Sequence, residues 1–170
     1  MFQAQLMARQ RILVTGGGTG LGQAMAEQYL RLGADIAICG RRKSVCEETA
    51  ARWREAFPER KIDTFGVDIR DAQAVEDMVE ALWQTGGVTG LVNNAAGNFV
   101  APTESLSSRA FDAVANIVFH GSFYVTQAIG KRWVAEAKEG KWQRGQPMLA
   151  KPLALNFIKM ALKFTLCISP

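Results

Sequence analysis

Thr15-Gly16-Gly17-Gly18-Thr19-Gly20-Leu21-Gly22 follows the apolar run Ile12-Leu13-Val14 and opens a stretch with helical spacing. That placement suits one chemistry. A helix N-terminus carries unpaired N–H groups and a partial positive charge, and a backbone without Cβ atoms lets a phosphate come close. Gly16, Gly20 and Gly22 give Gly-x-x-x-Gly-x-Gly rather than Gly-x-Gly-x-x-Gly, and no Lys-Ser/Thr follows to make a P-loop. The alternative is a tight strand-to-helix turn that holds nothing. Further on stands Cys39-Gly40-Arg41-Arg42. A site for NAD has Asp or Glu there to accept the ribose 2′-OH, but here Arg41 and Arg42 offer guanidinium groups suited to a 2′-phosphate. This favours NADP(H) over NAD(H); two solvated surface arginines are the alternative.

Three further stretches supply polar groups. In Val67-Asp68-Ile69-Arg70-Asp71, Asp68 is placed to accept from an adenine amino group with Ile69 beside it, and Asp71 to cap a helix. In Asn93-Asn94-Ala95-Ala96-Gly97, the amides can tie neighbouring strands, and the small residues let a ribose or flat ring lie against the backbone. His120 is the one histidine of the chain. Its imidazole can donate a hydrogen bond or titrate near neutrality; the alternative is a histidine satisfied in the core of a dimer-forming helix.

The elements that must position these residues alternate. Arg11–Val14, Asp35–Cys39, Ile62–Val67 and Leu91–Val92 read as short buried strands. Residues 20–32 have helical spacing, with Leu21, Met25 and Leu30 inward and Gly33 as the stop. Ser44 and Glu47 have capping-box spacing ahead of a face of Cys46, Ala50, Trp53 and Phe57 that ends at Pro58. Asp71 opens a helix with the stripe Val75, Met78, Val79 and Leu82, ended by Gly86-Gly87, and residues 108–139 form one long helical stretch. Strands separated by helices mean βαβ units, a parallel sheet and helices on both faces. The fold class is a doubly wound α/β domain, with every strand end turned to one crevice.

Composition narrows the function. The net charge of +4 divides into −2 over residues 1–130 and +6 over residues 131–170, without an aromatic-rich RNA-binding motif, so no nucleic-acid partner is expected. Cys39, Cys46 and Cys167 follow no metal-ligand or disulfide spacing, and no metal is expected. No apolar run reaches membrane-span length and no signal-peptide h-region opens the chain, which points to a cytoplasmic protein without a membrane span.

Taken together, "TGGGTGLG", "VDIRD" and "NNAAG" resemble the short-chain dehydrogenase/reductases, and "NNAAGNFVAPTESLS" resembles their 2,4-dienoyl-CoA reductase branch. The resemblance covers roughly residues 11–135. It implies a Rossmann-type doubly wound parallel sheet, C-terminally truncated relative to the family, and NADPH-dependent reduction of unsaturated acyl-CoA thioesters. It further implies that Gly16, Gly17, Gly18, Thr19, Gly20 and Leu21, with Gly22 closing the loop, cradle the pyrophosphate. Arg41 with Arg42 would meet the 2′-phosphate, Asp68 and Ile69 the adenine, and Asn93, Asn94, Ala95 and Gly97 the nicotinamide ribose. Arg70 would approach an acyl-CoA phosphate.

The departures are equally specific. The branch has an Asn directly before the glycine corresponding to Gly121, and this chain has His120; most of the wider family has an Asn three residues before it, and this chain has Val118. The family's Tyr-x-x-x-Lys acid is missing, since Tyr29 and Tyr124 are followed four residues on by Gly33 and Ala128. Residues 1–140 are therefore expected to form an NADP(H)-binding domain and residues 141–170 a divergent basic and apolar tail, with an amphipathic helix over 153–168. A frameshift or truncation is the simplest origin of that tail. Three readings stand: a working reductase, a catalytically dead fragment of one, and a non-catalytic nucleotide-binding module that forms a homo-oligomer through residues 108–139.

Overall fold

The computed structural model describes residues 5–97 and 101–141. The elements are β1 (Arg11–Thr15), α1 (Gly20–Arg31), β2 (Asp35–Gly40), α2 (Lys43–Ala56), β3 (Ile62–Gly66), α3 (Ala72–Gln84) and β4 (Gly90–Val92). A 3₁₀ turn (Thr103–Ser105) then leads to α4 (Ser108–Ala115), a π-helical segment (Asn116–Gly121) and α5 (Ser122–Lys138). The four strands are parallel in the order β3-β2-β1-β4. The helix expected over 153–168 lies outside the described residues.

Period-two alternation in the strands divides the core. Leu13, Ala37 and Cys39 face α3 and α5, packing with Val75, Met78, Leu82, Val125, Ile129 and Trp133. Ile12, Val14, Ile36 and Ile38 face α1 and α2, packing with Ala26, Leu30, Cys46, Ala50 and Trp53. Successive strand residues point to opposite faces, so each strand feeds both layers. The domain is doubly wound, as the alternating elements require. Among the described residues, no helix is long and apolar enough to cross a membrane.

Two expectations need correction. In α1, Leu21 is 78% exposed and Met25 only half-buried, whereas Gly22, Ala26 and Leu30 form the inward face. The cause is close approach: a Cβ on Gly22 would lie 2.4 Å from the Gly16 carbonyl oxygen, so only glycine fits where the helix starts, and the buried stripe is set one residue later. In α2, Ser44 and Glu47 make no capping box. The helix begins at Lys43, with Arg42 at the cap and no side-chain cap bond. Glu47 instead accepts from the Thr64 hydroxyl and from Arg54, which hold its carboxyl below the ordinary value.

Other signals hold. Asp71 caps α3 by accepting from the Gln73 and Ala74 amides at 3.0 and 3.1 Å. Gly33 ends α1 with φ +94°. Residues 108–138 form one continuous helical stretch, but Asn116–Gly121 is π-helical. Here Gly121 packs tightly: a Cβ would lie 2.6 Å from Ile69 Cγ1. That closeness brings His120 to the loop after β3.

Candidate functional site

The glycine loop is built onto β1 and β4 by a small polar cluster. The Thr15 hydroxyl accepts from the Asn94 and Ala95 amides, both at 3.0 Å. The Asn94 side-chain amide donates to the Thr15 carbonyl at 3.0 Å and faces the Gly16 carbonyl at 3.4 Å. These bonds join the two strand ends, the role expected of the amides. Asn93 turns the other way and donates to the Thr126 hydroxyl on α5 at 2.8 Å. Its Oδ1 is buried without a partner in the protein.

A first cleft of about 320 Å³ opens over the C-terminal ends of the strands. Of the expected residues it brings together Gly16, Gly18, Thr19, Arg41, Arg42, Asp68, Ile69, Asn94 and Ala95. Its floor starts where α1 begins, and the Thr19 side chain makes no cap bond to the helix amides. Gly16 has φ +66°, a conformation that L side chains rarely adopt. Gly17, Gly20, Leu21, Gly22, Asn93 and Gly97 do not line the cleft. Gly17 and Gly22 instead permit packing, since a Cβ on Gly17 would stand 2.4 Å from Ile38 Cγ2.

Sequence reasoning missed several parts of this wall. Cys39 and Cys46 line it, as does Ile117 from the π-helical segment. Burial pushes the Cys39 thiol up to about 12 and raises that of Cys46 as well. Both sulfurs stay neutral, so they do not oppose an anion beside Arg41 and Arg42. The Cys39 side of the cleft was readable, because that residue closes an apolar strand in front of the two arginines. Thr15 and Thr126, the partners of Asn94 and Asn93, carried no signal that spacing could expose.

Asp68 forms a wall between this cleft and a second one of about 500 Å³, lined by Asp68, Arg70, Asp71, Asn116, His120 and Tyr124. The Arg70 guanidinium folds onto the Asp68 carboxylate, with Nε 3.0 Å from each oxygen and Nη2 2.5 Å from Oδ2. These bonds hold the Asp68 carboxyl below its ordinary value. Arg70 thus pairs with Asp68 while its side chain stays 43% exposed. His120 is exposed in the single chain. Its Nδ1 lies 2.8 Å from Asn116 Oδ1, and its ring centroid is 6.3 Å from that of Tyr124. Ala128, four residues beyond Tyr124, is buried. Among the described residues, no cluster of His, Cys, Asp and Glu could hold a metal.

Comparison with known proteins agrees with this geometry. The short chain dehydrogenase family model matches residues 10–141. A Bacillus subtilis (strain 168) probable 2,4-dienoyl-CoA reductase is 36% identical over 135 residues, covering 79% of this chain and 52% of that protein. A Caenorhabditis elegans probable 2,4-dienoyl-CoA reductase, decr-1.2, is 41% identical over 125 residues, covering 72% and 40%. In structure, the chain is similar to the NADPH-bound short chain oxidoreductase from Pseudomonas aeruginosa PAO1 containing an atypical catalytic center. That match has a TM-score of 0.72 at 25% identity and covers 79% of this chain and 52% of that one. The chain therefore spans about half the length of the relatives it matches. With the parallel sheet, the glycine loop and the strand-end cleft in place, the chain belongs to the short-chain dehydrogenase family, and it is similar there to 2,4-dienoyl-CoA reductases.

Proposed function

We propose that the first cleft binds NADP(H) in preference to NAD(H), and that the chain is the cofactor-binding part of an acyl-CoA reductase fold. The observation that carries this is Arg41 and Arg42 lining the cleft at the end of β2, with neutral thiols beside them and no acid for a ribose 2′-OH. The cleft fits the group. Gly16 and Gly18 leave space that Cβ atoms would narrow, at 3.1 Å from Ala95 Cα and 3.2 Å from Cys46 Sγ, respectively. The α1 amides are uncapped by Thr19 and favour a pyrophosphate. Asp68, ionised and already holding Arg70, has lone pairs left for an adenine amino group. Asn94 and Ala95 would flank the nicotinamide ribose. The similarity to an NADPH-bound oxidoreductase supports the same cofactor.

NADPH, when bound, supplies a hydride to an unsaturated acyl-CoA thioester, the substrate class suggested by the reductases the chain resembles. The residues of this chain bind and orient. None forms the Tyr-x-x-x-Lys unit that would deliver the proton, and Ala128 stands where the Lys would follow Tyr124. We therefore infer that the 170-residue chain binds the cofactor without turning over. A second reading, a nucleotide-binding module that forms a homo-oligomer, is favoured by Phe111, Phe123 and Val134, which are exposed apolar residues along α4 and α5.

Fluorescence titration with both cofactors tests the binding. A charge-assisted contact to the 2′-phosphate contributes about 1.5–3 kcal/mol, or roughly ten- to a hundredfold in affinity. NADPH should bind more tightly by that factor, and Arg41→Ala should remove most of the preference. Equal affinities in the unmodified chain would refute the assignment.

A further inference from the structure

Asp68 stands in the wall that the two clefts share, and its carboxylate is gripped from the second-cleft side. Val67, Asp68 and Ile69 line the first cleft, whereas Arg70 lines only the second. From there Arg70 reaches back. Its backbone N–H donates to Asp68 Oδ1 at 3.1 Å. Its Nε–H is shared between Oδ1 and Oδ2, at 3.0 Å each, and its Nη2 donates to Oδ2 at 2.5 Å. An ionised carboxylate offers about four lone-pair sites, so these three protons leave about one site open. The chain beneath is tied as well: the Asp71 amide donates to the Asp68 carbonyl at 3.0 Å, and the Asp71 side chain caps α3. The two side chains are 32% and 43% exposed, and ion pairs this open contribute little to stability. What these bonds fix is the direction in which the carboxylate faces.

We propose that Arg70 is a positioning residue that holds Asp68 as a fixed acceptor, so that the first cleft takes a 6-aminopurine nucleotide and rejects its 6-oxopurine counterpart. The proposal rests on the reading of that cleft as an NADP(H) site. The chemistry lies in where the purine keeps its protons. Adenine carries its donor at the 6-amino group and none at N1. Hypoxanthine has an oxygen at position 6, which a carboxylate repels, but a proton on the adjacent N1. A carboxylate free to turn follows that N1 proton and accepts both bases. One held by a guanidinium fork cannot turn without breaking its bonds to Arg70.

Fluorescence titration of the full chain with NADPH and with reduced nicotinamide hypoxanthine dinucleotide phosphate reads this discrimination. A hydrogen bond to a charged group is worth roughly tenfold or more in affinity, and the unmodified chain should prefer NADPH by about that factor. Asp68→Ala should bring the two ligands near parity. Arg70→Ala should lose most of the preference although Asp68 is still present. Arg70→Lys keeps the charge without the fork and should restore only part. The urea midpoint of Arg70→Ala should match that of the unmodified chain, which separates positioning from a structural role.

An undiminished preference in Arg70→Ala overturns the proposal, as does a lost preference that comes with a lowered midpoint, or full recovery in Arg70→Lys. The two assignments fail separately. Equal affinity of the unmodified chain for NADPH and its hypoxanthine analogue, with NADPH still bound more tightly than NADH, overturns the role of Arg70 and leaves the cofactor reading standing. Equal affinity for NADPH and NADH overturns the cofactor reading, while the base preference still reads Arg70. Failure to bind any of these dinucleotides overturns both.

Discussion

Cys39 is next to last in β2, its side chain fully buried between the first cleft and the α3–α5 layer, and its proton is held up to about 12 instead of the ordinary 9.0. The cause is desolvation of the thiolate, with Cys46 adding to it. The unfolded chain releases this proton at the lower pH and the folded chain does not. Stability from this group is thus complete below about pH 9 and falls as pH climbs toward 12, at about 1.4 kcal/mol per pH unit. Urea unfolding between pH 8 and 11 should show a shallower decline for Cys39→Ala than for the unmodified chain; parallel declines would refute the linkage. The same burial predicts that an alkylating reagent at pH 8 leaves Cys39 unlabelled until the chain unfolds. At this scale Arg41, Arg42 and Asp68 were legible as strand-end residues, and all three line the first cleft, because polar groups directly after an apolar strand turn toward the strand ends. The sequence could not show Arg70 folded onto Asp68, which depends on the turn geometry between them.

The elements depend on one buried charge at the opposite end of the sheet from the cleft. Arg11 begins β1, is 7% exposed, and donates to Asp63 on β3 at 2.6 Å. It also donates to the Thr85 and Gly87 carbonyls at 3.0 and 2.9 Å, so it joins two strands to the turn after α3. Arg11→Ala leaves the Gly87 carbonyl and the Asp63 carboxylate without this donor, while Lys61 Nζ still reaches the Thr85 carbonyl at 3.0 Å. Breaking a buried pair in this way costs about 3–5 kcal/mol. Chemical denaturation should register that loss, and Arg11→Lys should recover only part, because a single compact ammonium cannot replace the two spread guanidinium nitrogens that reach these acceptors. A change below about 1 kcal/mol would mean that the network contributes nothing beyond a surface ion pair. Strands and helices were legible from periodicity because each buries a stripe. The inward face of α1 was not, because glycine and alanine at positions 22 and 26 carry no hydrophobic signal, although it is their smallness that lets the helix touch the strand.

For the whole molecule, the two clefts meet at Asp68, and neither Tyr29 nor Tyr124 is followed four residues on by Lys. Positioned acid catalysis contributes about 10²–10⁴-fold and an oxyanion donor about 10²–10³-fold. The purified chain, loaded with NADPH and given a dienoyl-CoA, should therefore oxidise it at a rate about 10⁴ or more below that of a complete active site. The absorbance of the reduced nicotinamide follows this directly; ordinary turnover that disappears in His120→Ala would assign the proton donor to His120. The second cleft was hidden from sequence reasoning because it joins residues 68–71 to residues 116–124. The close approach of Gly121 to Ile69 helps bring those segments together, and a glycine within a helix does not announce its partner.

The cofactor loop also constrains how this chain can change over generations. The missing side chains of Gly16 and Gly22 share a neighbour: a Cβ on either would come within 3.1 and 2.5 Å, respectively, of the Asn94 amide nitrogen. Asn94 in turn holds the Thr15 carbonyl at the end of the adjacent strand. Shrinking Asn94 would relieve the Gly22 position on one side only, because the Gly16 carbonyl oxygen still stands 2.4 Å from the same point. The three positions therefore cannot drift one at a time. An accepted replacement at any of them has to travel with a shift of the α1 start, and lineages that keep the loop should keep all three together.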